Sequence, residues 1–384
     1  MKPVQRISVG VAVAALAVGV VGCGSDKKAV ETTAAPVTTE APATTAAPAT
    51  TAASAETTAA PETTAAASSD TSKGGVPAGA TEVKIEGDLA SLKGKKFGIA
   101  NLAPVPGAER WSKPLQKCLE DNGAEVDYQD VGGDPTKLPA ILDGWLAAKK
   151  DAVFNIGIDM SGQDSVIAQF GAAKAPFITW GAGNPAGVVS LDANQEEDGR
   201  IIGKYVAAQI NNKGNVVIVN ANNPALQSRE KGIKEVLGTF PDIKVTVVGE
   251  ALGFSAESAQ KSTEAALQAD PTVVAVIGGF GSLGVGAAKA VEGAGSKAIV
   301  VSMNGDPEEY AAIRAGGAFK ATVADGHEYG GEAACKIAAS MLAGNPAPGA
   351  AGKQILATSV LVTADNVPAD GKIEPTARVF YQLS

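Results

Sequence analysis

The chain has 384 residues, 45% hydrophobic, 4% aromatic and 19% charged, with 45 Gly and 21 Pro, too apolar to be disordered throughout and too Gly-rich and aromatic-poor for an average mixed domain. With 32 Lys and Arg against 41 Asp and Glu the net charge is −9, so no basic excess exists to hold a phosphate backbone, and nucleic acid is excluded as a partner. One histidine, His327, and three cysteines, Cys23, Cys118 and Cys335, are too few for a Cys/His zinc module, and no metal is expected.

Residues 1–22 read as a signal peptide. Lys2 and Arg6 precede an unbroken run of small apolar residues over 7–22, too short and too small-sided to span a bilayer comfortably. The run ends Val20-Val21-Gly22-Cys23-Gly24-Ser25-Asp26, and small residues ahead of a single Cys resemble the lipobox of bacterial lipoproteins, whose Cys is diacylated and becomes the new N-terminus. Cys23 is therefore expected to anchor the protein in the lipid membrane on its extracytoplasmic side, since two acyl chains hold where one holds only marginally. The alternative is an ordinary cleaved signal with an incidental Cys. Between residues 31 and 70, 12 Thr, 15 Ala, 4 Pro and 3 Ser leave no Leu, Ile or aromatic side chain to bury, so 23–92 is assigned as a disordered linker. About 65 residues of flexible coil reach roughly 40–50 Å, enough for the folded part to reorient.

From Lys95 onward, short apolar runs at 97–102, 125–131, 152–156, 177–180, 216–219, 245–248, 273–277, 298–302 and 321–324 alternate with amphipathic stretches, the pattern of buried parallel strands separated by helices. Ile201, Ile202, Tyr205, Val206 and Ile210 fall on one helical stripe, while Asp134-Pro135 and Asp306-Pro307 pair an N-cap with proline at the first helical position. The fold class is α/β with doubly wound parallel sheets, and roughly 290 residues in this pattern favour two lobes over one. The chain also resembles itself. Phe97-Gly98-Ile99-Ala100-Asn101 and Val216-Val217-Ile218-Val219-Asn220 each lead through a Pro-bearing loop and a helix to another strand, as the first βαβ unit of a lobe would.

The order strand, Pro loop and long helix, followed by APFITWG (175–181), SREKG (228–232), VVAVIGGFGSLGVGAAKAVEGAG (273–295), VVSMNGDPEEYAAIRAGGAFKATVAD (300–325) and an Ala-rich helix, is similar to type I periplasmic sugar-binding proteins. The nearest group is the ribose and galactose kind that serve ABC transporters, and the resemblance covers about residues 93–365. It implies an N-terminal lobe of 93–192 plus 326–358 and a C-terminal lobe of 193–325 plus 359–384. Three strands, near 190–194, 323–326 and 359–363, would cross between them as a hinge. Closure then requires a ligand that touches both lobes, at the carboxyl ends of the strands.

Carried onto this sequence, the resemblance makes Arg229 a two-pronged donor to ligand hydroxyls and Phe254 an aromatic stacked on the ligand face. Trp111 and Trp180, on cleft-facing loops, are candidates to sandwich it, each with a core or rim position as the alternative. Asn304 and Asp325 follow strands where the family places an amide or carboxylate, and a buried Asp325 needs a partner in the ligand or the hinge backbone. Arg229→Ala and Asp325→Ala are expected to weaken binding and spare the fold. Two hydroxyl-reading pairs of the family are replaced, by Gly181-Ala182 and by Phe280-Gly281. That leaves Phe280 as an apolar contact and favours a smaller, less hydroxylated or more apolar ligand.

Gly279-Phe280-Gly281-Ser282-Leu283-Gly284 fits a dinucleotide fingerprint, with Asn304 and Asp306 about twenty residues on. It lies in the third βα unit of its lobe in an exported chain, so the glycines are assigned to strand-to-helix packing and no cofactor is expected. No G-x-S-x-G elbow or H-E-x-x-H pair appears. His327 beside Asp325 reads as a capping or cleft-rim residue in preference to a catalytic one. The expected role is a monomeric, lipid-anchored binder, without enzyme activity, that delivers a sugar, sugar derivative or polyol to an ABC permease. Presentation of the closed form to a membrane sensor kinase, or binding of a non-sugar metabolite, is the alternative.

Once Cys23 is lipidated, an even pair of cysteines remains. Right-handed crossovers put the helix carrying Cys118 and the one carrying Cys335 on the same face of the N-terminal sheet, and the compartment is oxidising, so a Cys118–Cys335 disulfide is expected. Two separate buried thiols are the alternative.

Overall fold

The computed structural model describes residues 73–249, 253–372 and 379–384. The signal segment, Cys23 and most of the assigned linker lie outside the described residues. The linker ends earlier than its composition suggests, because β1 (Thr81–Val83) is a strand and Leu89–Leu92 a 3-10 turn whose Asp88 cap accepts from the Ala90 N–H at 3.1 Å. The apolar residues scattered through this segment, Val83 and Leu92 fully and Ile85 and Leu89 partly, pack into the first core, and that burial outweighs the polar composition around them.

Two sheets share one winding order. In the first, β2 (Lys96–Asn101), β3 (Glu125–Asp130), β4 (Ala152–Ile156), β5 (Phe177–Trp180) and β6 (Val189–Ala193) run β3-β2-β4-β5-β6, all parallel. In the second, β7 (Gly214–Val219), β8 (Ile243–Val248), β9 (Val273–Gly278), β10 (Ile299–Asn304) and β11 (Phe319–Ala324) run β8-β7-β9-β10-β11, again parallel. Each order reverses once, beside β2 and beside β7, and a crevice opens at the carboxyl ends of the strands at such switch points. The central strands β4 and β5 are buried at every position, hence their largely apolar runs, interrupted only by the buried Asn155 and Thr179. The edge strand β3 instead exposes Glu125, Gln129 and Asp130.

The first sheet is covered on one face by α1 (Pro106–Asp121) and α9 (His327–Leu342) and on the other by α2 (Leu138–Ala147) and α3 (Asp164–Ala172). The second carries α4 (Gln195–Gln209) and α5 (Pro224–Leu237) on one face and α6 (Ala256–Ala269), α7 (Gly281–Gly293) and α8 (Pro307–Ala315) on the other. Fully buried Leu, Ile and Phe side chains such as Phe97, Leu115, Leu142 and Phe154 each contribute about 1.5–3 kcal/mol by leaving water. Helices α4 and α5 lie very close: a Cβ on Gly232 would sit 2.0 Å from the Glu196 carbonyl oxygen, so only glycine lets the backbones meet there. Cys118 of α1 and Cys335 of α9 are joined by a disulfide, with their Cα atoms 6.3 Å apart.

The chain leaves the first sheet after Ala193, returns to it from β11 through Asp325 and Gly326, and passes from β12 (Ile355–Ala357) to β13 (Val360–Thr363), the antiparallel edge of the second sheet. It then goes back once more. β14 (Phe380–Gln382) pairs antiparallel with both β12 and β1 in the first sheet, so the assignment of all of 359–384 to the C-terminal lobe is corrected for this last strand. Three residues without alternation carry no signal of which edge they join, whereas the open edge of β12 supplies the unpaired backbone groups that capture them.

Candidate functional site

The carboxyl ends of both sheets and the N-termini of the helices that follow them face one cleft. Between them lies a cavity of about 100 Å³ with walls from both lobes. Its apolar surface comes from Leu102, Val105, Ile156 and Trp180 on one side and Leu226, Phe254 and Phe280 on the other. Its polar groups are Gln195, Asn223, Arg229, Asn304 and His327. Trp180 stands 5.5 Å from the His327 ring, and Phe254 stands 6.3 Å from Phe280, centroid to centroid. A second cavity of about 330 Å³ adjoins it and shares Leu102, Gly157, Asn223 and Phe254.

Arg229 projects from the second turn of α5 and is 3% exposed. Its Nε donates to Gln195 Oε1 at 2.5 Å, Nη1 to the Gly279 carbonyl and Asn304 Oδ1 at 2.9 Å each, and Nη2 to Asp325 Oδ2 at 2.7 Å. The other Asp325 oxygen meets His327 Nδ1, which leaves Nε2 as that ring's unspent nitrogen. Burial alone would raise the Asp325 carboxyl, but His327 and Arg229 outweigh it and hold the group below the usual carboxylate range. The Gln195 amide donates to Asp192. Burial pushes that carboxyl up to about 6, only partly offset by Gln195, the Ala193 N–H and Arg229.

Hydrogen bonds also cross the cleft directly. Asn223, the N-cap of α5, accepts from the Ala225 and Leu226 N–H groups and donates from Nδ2 to the Gly157 carbonyl of the other lobe at 2.6 Å. Arg110 of α1 grips Glu328 with two bonds of 2.6 and 2.7 Å and reaches over to the Gly305 carbonyl at 2.7 Å and Asp306 Oδ1 at 2.9 Å. A Cβ on Gly107 would lie 2.4 Å from Asn304 Nδ2, so the start of α1 and the end of β10 meet without room for a side chain. This is a closed arrangement of the two lobes.

Trp180, Arg229, Phe254, Phe280 and Asn304 are thus brought to one cavity. Trp111 is not. It is fully buried in the first core, 5.8 Å from Trp180, with its Nε1 lacking a hydrogen-bond partner, because it faces the sheet from the second turn of α1 while Val105 and Ala108 of the same segment face the cleft. Asp325 lies behind the wall and holds Arg229 and His327 in place. His327 is on the wall, and Gly326 is the N-cap of α9, so its capping role falls away. Gln195 and Asn223 were missed as site residues. The Asn223-Pro224 pair signals a helix start, but nothing local says that this helix start faces a second lobe. Gly279 and Phe280 join β9 to α7, and in the first turn of that helix a Cβ on Gly284 would sit 2.5 Å from Ser302 Cβ, which is the close strand-to-helix packing those glycines serve.

A family model described as a periplasmic binding protein domain matches residues 103–346. The chain belongs to the periplasmic binding protein family. That family is one of extracytoplasmic solute-binding proteins, and among the described residues no helix is long and apolar enough to cross a membrane. Curated relatives of this periplasmic binding protein include the xylitol-binding protein of Mycolicibacterium smegmatis, 24% identical over 251 residues and covering 63% of this chain and 71% of that one. The D-apiose import binding protein of Actinobacillus succinogenes is 26% identical over 227 residues, covering 53% and 70%. Among solved structures, an ABC transporter solute-binding protein from Agrobacterium vitis with bound allitol aligns with TM-score 0.66 at 20% identity, covering 72% of this chain and 97% of that one. An ABC sugar transporter subunit from Rhodobacter sphaeroides aligns at 0.65 and 22%, covering 72% and 100%. At those identities the structural likeness shows the fold.

Proposed function

We propose that this protein captures a sugar, sugar derivative or polyol between its two lobes and delivers it to an ABC permease while a diacylated Cys23 tethers it to the membrane as a monomer. The carrying observation is the cavity itself: aromatic faces and hydrogen-bonding side chains converge on it from both lobes, so ligand bound there favours the closed state through contacts that the open state lacks. Trp180, Arg229, Phe254, Phe280 and Asn304, with Gln195, Asn223 and His327, are its contact residues, and Asp325 positions two of them. The relatives named for xylitol and D-apiose support this ligand class. The wall carries no carboxyl, amine, thiol or hydroxyl side chain among the described residues, which suits capture and release.

The test is a thermal-shift screen against sugars, polyols, amino acids and nucleosides. A ligand at 100 times its dissociation constant adds about 2.7 kcal/mol of stability. Stabilisation by sugars or polyols is expected, and branched amino acids succeeding where all of those fail overturns the reading. For the anchor, cells fed an alkyne fatty acid should label the wild type, and the Cys23→Ala protein should lose both the label and its membrane fraction.

A further inference from the structure

The first lobe has a second concave surface at the amino ends of β2, β4 and β5, the pole remote from the cleft. There the C-terminal ends of α2, α3 and α9 surround a cavity of about 520 Å³. Leu146, Phe170 and Leu342 give it an apolar floor, and its rim carries Lys95, Lys149, Lys150 and Lys174 against one carboxylate, Asp151. Two of these cations are paired, Lys95 with Asp151 at 3.1 Å and Lys150 with Asp127 at 3.5 Å. Lys149 and Lys174 are exposed, and neither has an ion pair or side-chain hydrogen bond among the described residues. On a chain of net charge −9, this pole keeps two uncompensated positive charges.

Both unpaired lysines sit in strained backbone. They close the turns after α2 and α3 in the left-handed region, with φ of 51° and 56°, where a Cβ crowds the chain and glycine is preferred. The turns after α1, α7, α8 and α9 use Gly123, Gly295, Gly316 and Gly344 for the same conformation. Compensation of the helix dipoles does not require this placement. A cation in the last helical turn would serve without strain, and the last turns of α2 and α3 hold none. Strain kept at two positions that open on one cavity points to a bound group, and ammonium groups above an apolar floor suit an anion that carries hydrocarbon.

We propose that this pole docks on the anionic phospholipid surface of the membrane, with headgroup phosphate at Lys149 and Lys174 and the carbons beneath it over Leu146 and Leu342. The diacylated Cys23 proposed above supplies only proximity: a linker reaching roughly 40–50 Å raises the effective concentration of headgroups, so individually weak contacts suffice. The cleft opens at the opposite ends of the same strands. A body seated by this pole therefore presents its cleft to the solution, and delivery to a permease requires release from the lipid.

The chain from Gly24 onward, which keeps the linker and all described residues but has no lipid, is sedimented with vesicles of phosphatidylcholine alone and of phosphatidylcholine with phosphatidylglycerol in equal parts. Binding to the anionic vesicles is expected to be about tenfold stronger and to weaken as salt is raised. Lys149→Gly with Lys174→Gly should lower that binding by about tenfold while the melting midpoint holds or rises, because glycine relieves both turns. Lys231→Ala with Lys261→Ala removes the same charge from exposed positions of the second lobe and should leave binding unchanged. Equal binding to both vesicles, or equal losses in the two double variants, overturns the proposal. So does a falling midpoint with binding intact, which assigns the lysines to the helix ends, or titration of soluble glycerol phosphate as tight as the vesicles, which assigns the cavity to a free anion. None of these readouts involves the cleft, so their failure leaves the solute-binding reading standing.

Discussion

Arg110 of α1 and Asp306 at the start of α8 meet across the cleft, Nη1 to Oδ1 at 2.9 Å, with side chains 11% and 2% exposed. The arginine is aimed by its own lobe, since Glu328 of α9 takes its Nε and Nη2, and the fixed planar fork leaves Nη1 for the opposite lobe. The pair sits one residue from Gly305 and two from Asn304, both of which also meet α1 or its arginine. It therefore adds closing energy at the very edge of the cavity, where both partners also bond Asn304 of the wall.

Arg110→Ala should shift the lobes toward the open state. The apparent affinity for the molecule found in the thermal-shift screen is expected to fall between about threefold and thirtyfold, by about 0.7–2 kcal/mol, and the radius of gyration from X-ray scattering of ligand-free protein to rise. The melting midpoint should move little, because an opened cleft lets water solvate Asp306 and Glu328. Unchanged affinity and unchanged scattering would show that the pair does not bias closure.

The Arg229–Asp325 pair is of another kind. With exposures of 4% and 0% it joins α5 to the hinge end of β11 within the second lobe, so opening the cleft leaves the pair itself intact. Removing one partner strands a buried charge, so Arg229→Ala and Asp325→Ala are each expected to cost about 3–5 kcal/mol of stability as well as ligand affinity. The fold is still expected to survive both changes, at lower stability. Chemical denaturation of the two variants and of the double variant decides it: the double loss should be smaller than the sum of the single ones.

The Cys118–Cys335 bond spans a sequence separation of 217 and ties α9, which arrives after the parallel strands of the second sheet, to the first helix of the first lobe. Denatured, unreduced protein should show neither thiol in a titration with Ellman-type reagent. Reduction, or Cys118→Ser with Cys335→Ser, should lower stability by roughly 2–4 kcal/mol. A variant as stable as the oxidised protein would contradict this.

Glu309 gives stability a pH dependence. It is fully buried, accepting from the Ser302 and Thr322 hydroxyls and, at 2.5 Å, from the Asp306 N–H. Burial, and the neighbouring Asp306 carboxylate, push it from 4.5 to about 8 against those hydrogen bonds. The folded state thus holds a proton that the unfolded chain releases near its ordinary value, so this group's contribution is fully present below about pH 4.5 and is lost as pH rises through about 8. Asp192, raised to about 6, acts in the same sense over a lower range. Denaturation midpoints from pH 5 to pH 8 should fall, and Glu309→Gln should flatten the decline. An equally steep decline in that variant would assign the dependence elsewhere.

Taken alone, the amino-acid sequence determined the fold class, the positions of nearly all central strands and the presence of two similarly wound halves. Strands buried on both faces must be predominantly apolar, as in β4, β5 and β9, where Asn155 and Thr179 are the polar exceptions, and that requirement is local and readable. It also marked Arg229, Phe254, Phe280, Asn304 and Trp180 as side chains at strand ends and helix starts. Tertiary structure alone decided which of them share a cavity. Trp111 and Val105 are six residues apart on one loop and helix, yet only Val105 faces the cleft, because helical phase turned the ring to the sheet. Asn223 and Arg110 gained roles across the cleft that no local pattern encodes, since Gly157, Gly305 and Asp306 lie in segments brought near them only when the lobes are closed, and Gln195 met Arg229 only through the packing of α4 on α5. The same reason accounts for β14. A strand of three residues has too little sequence to specify its neighbour, and the exposed edge of an already folded sheet made the choice.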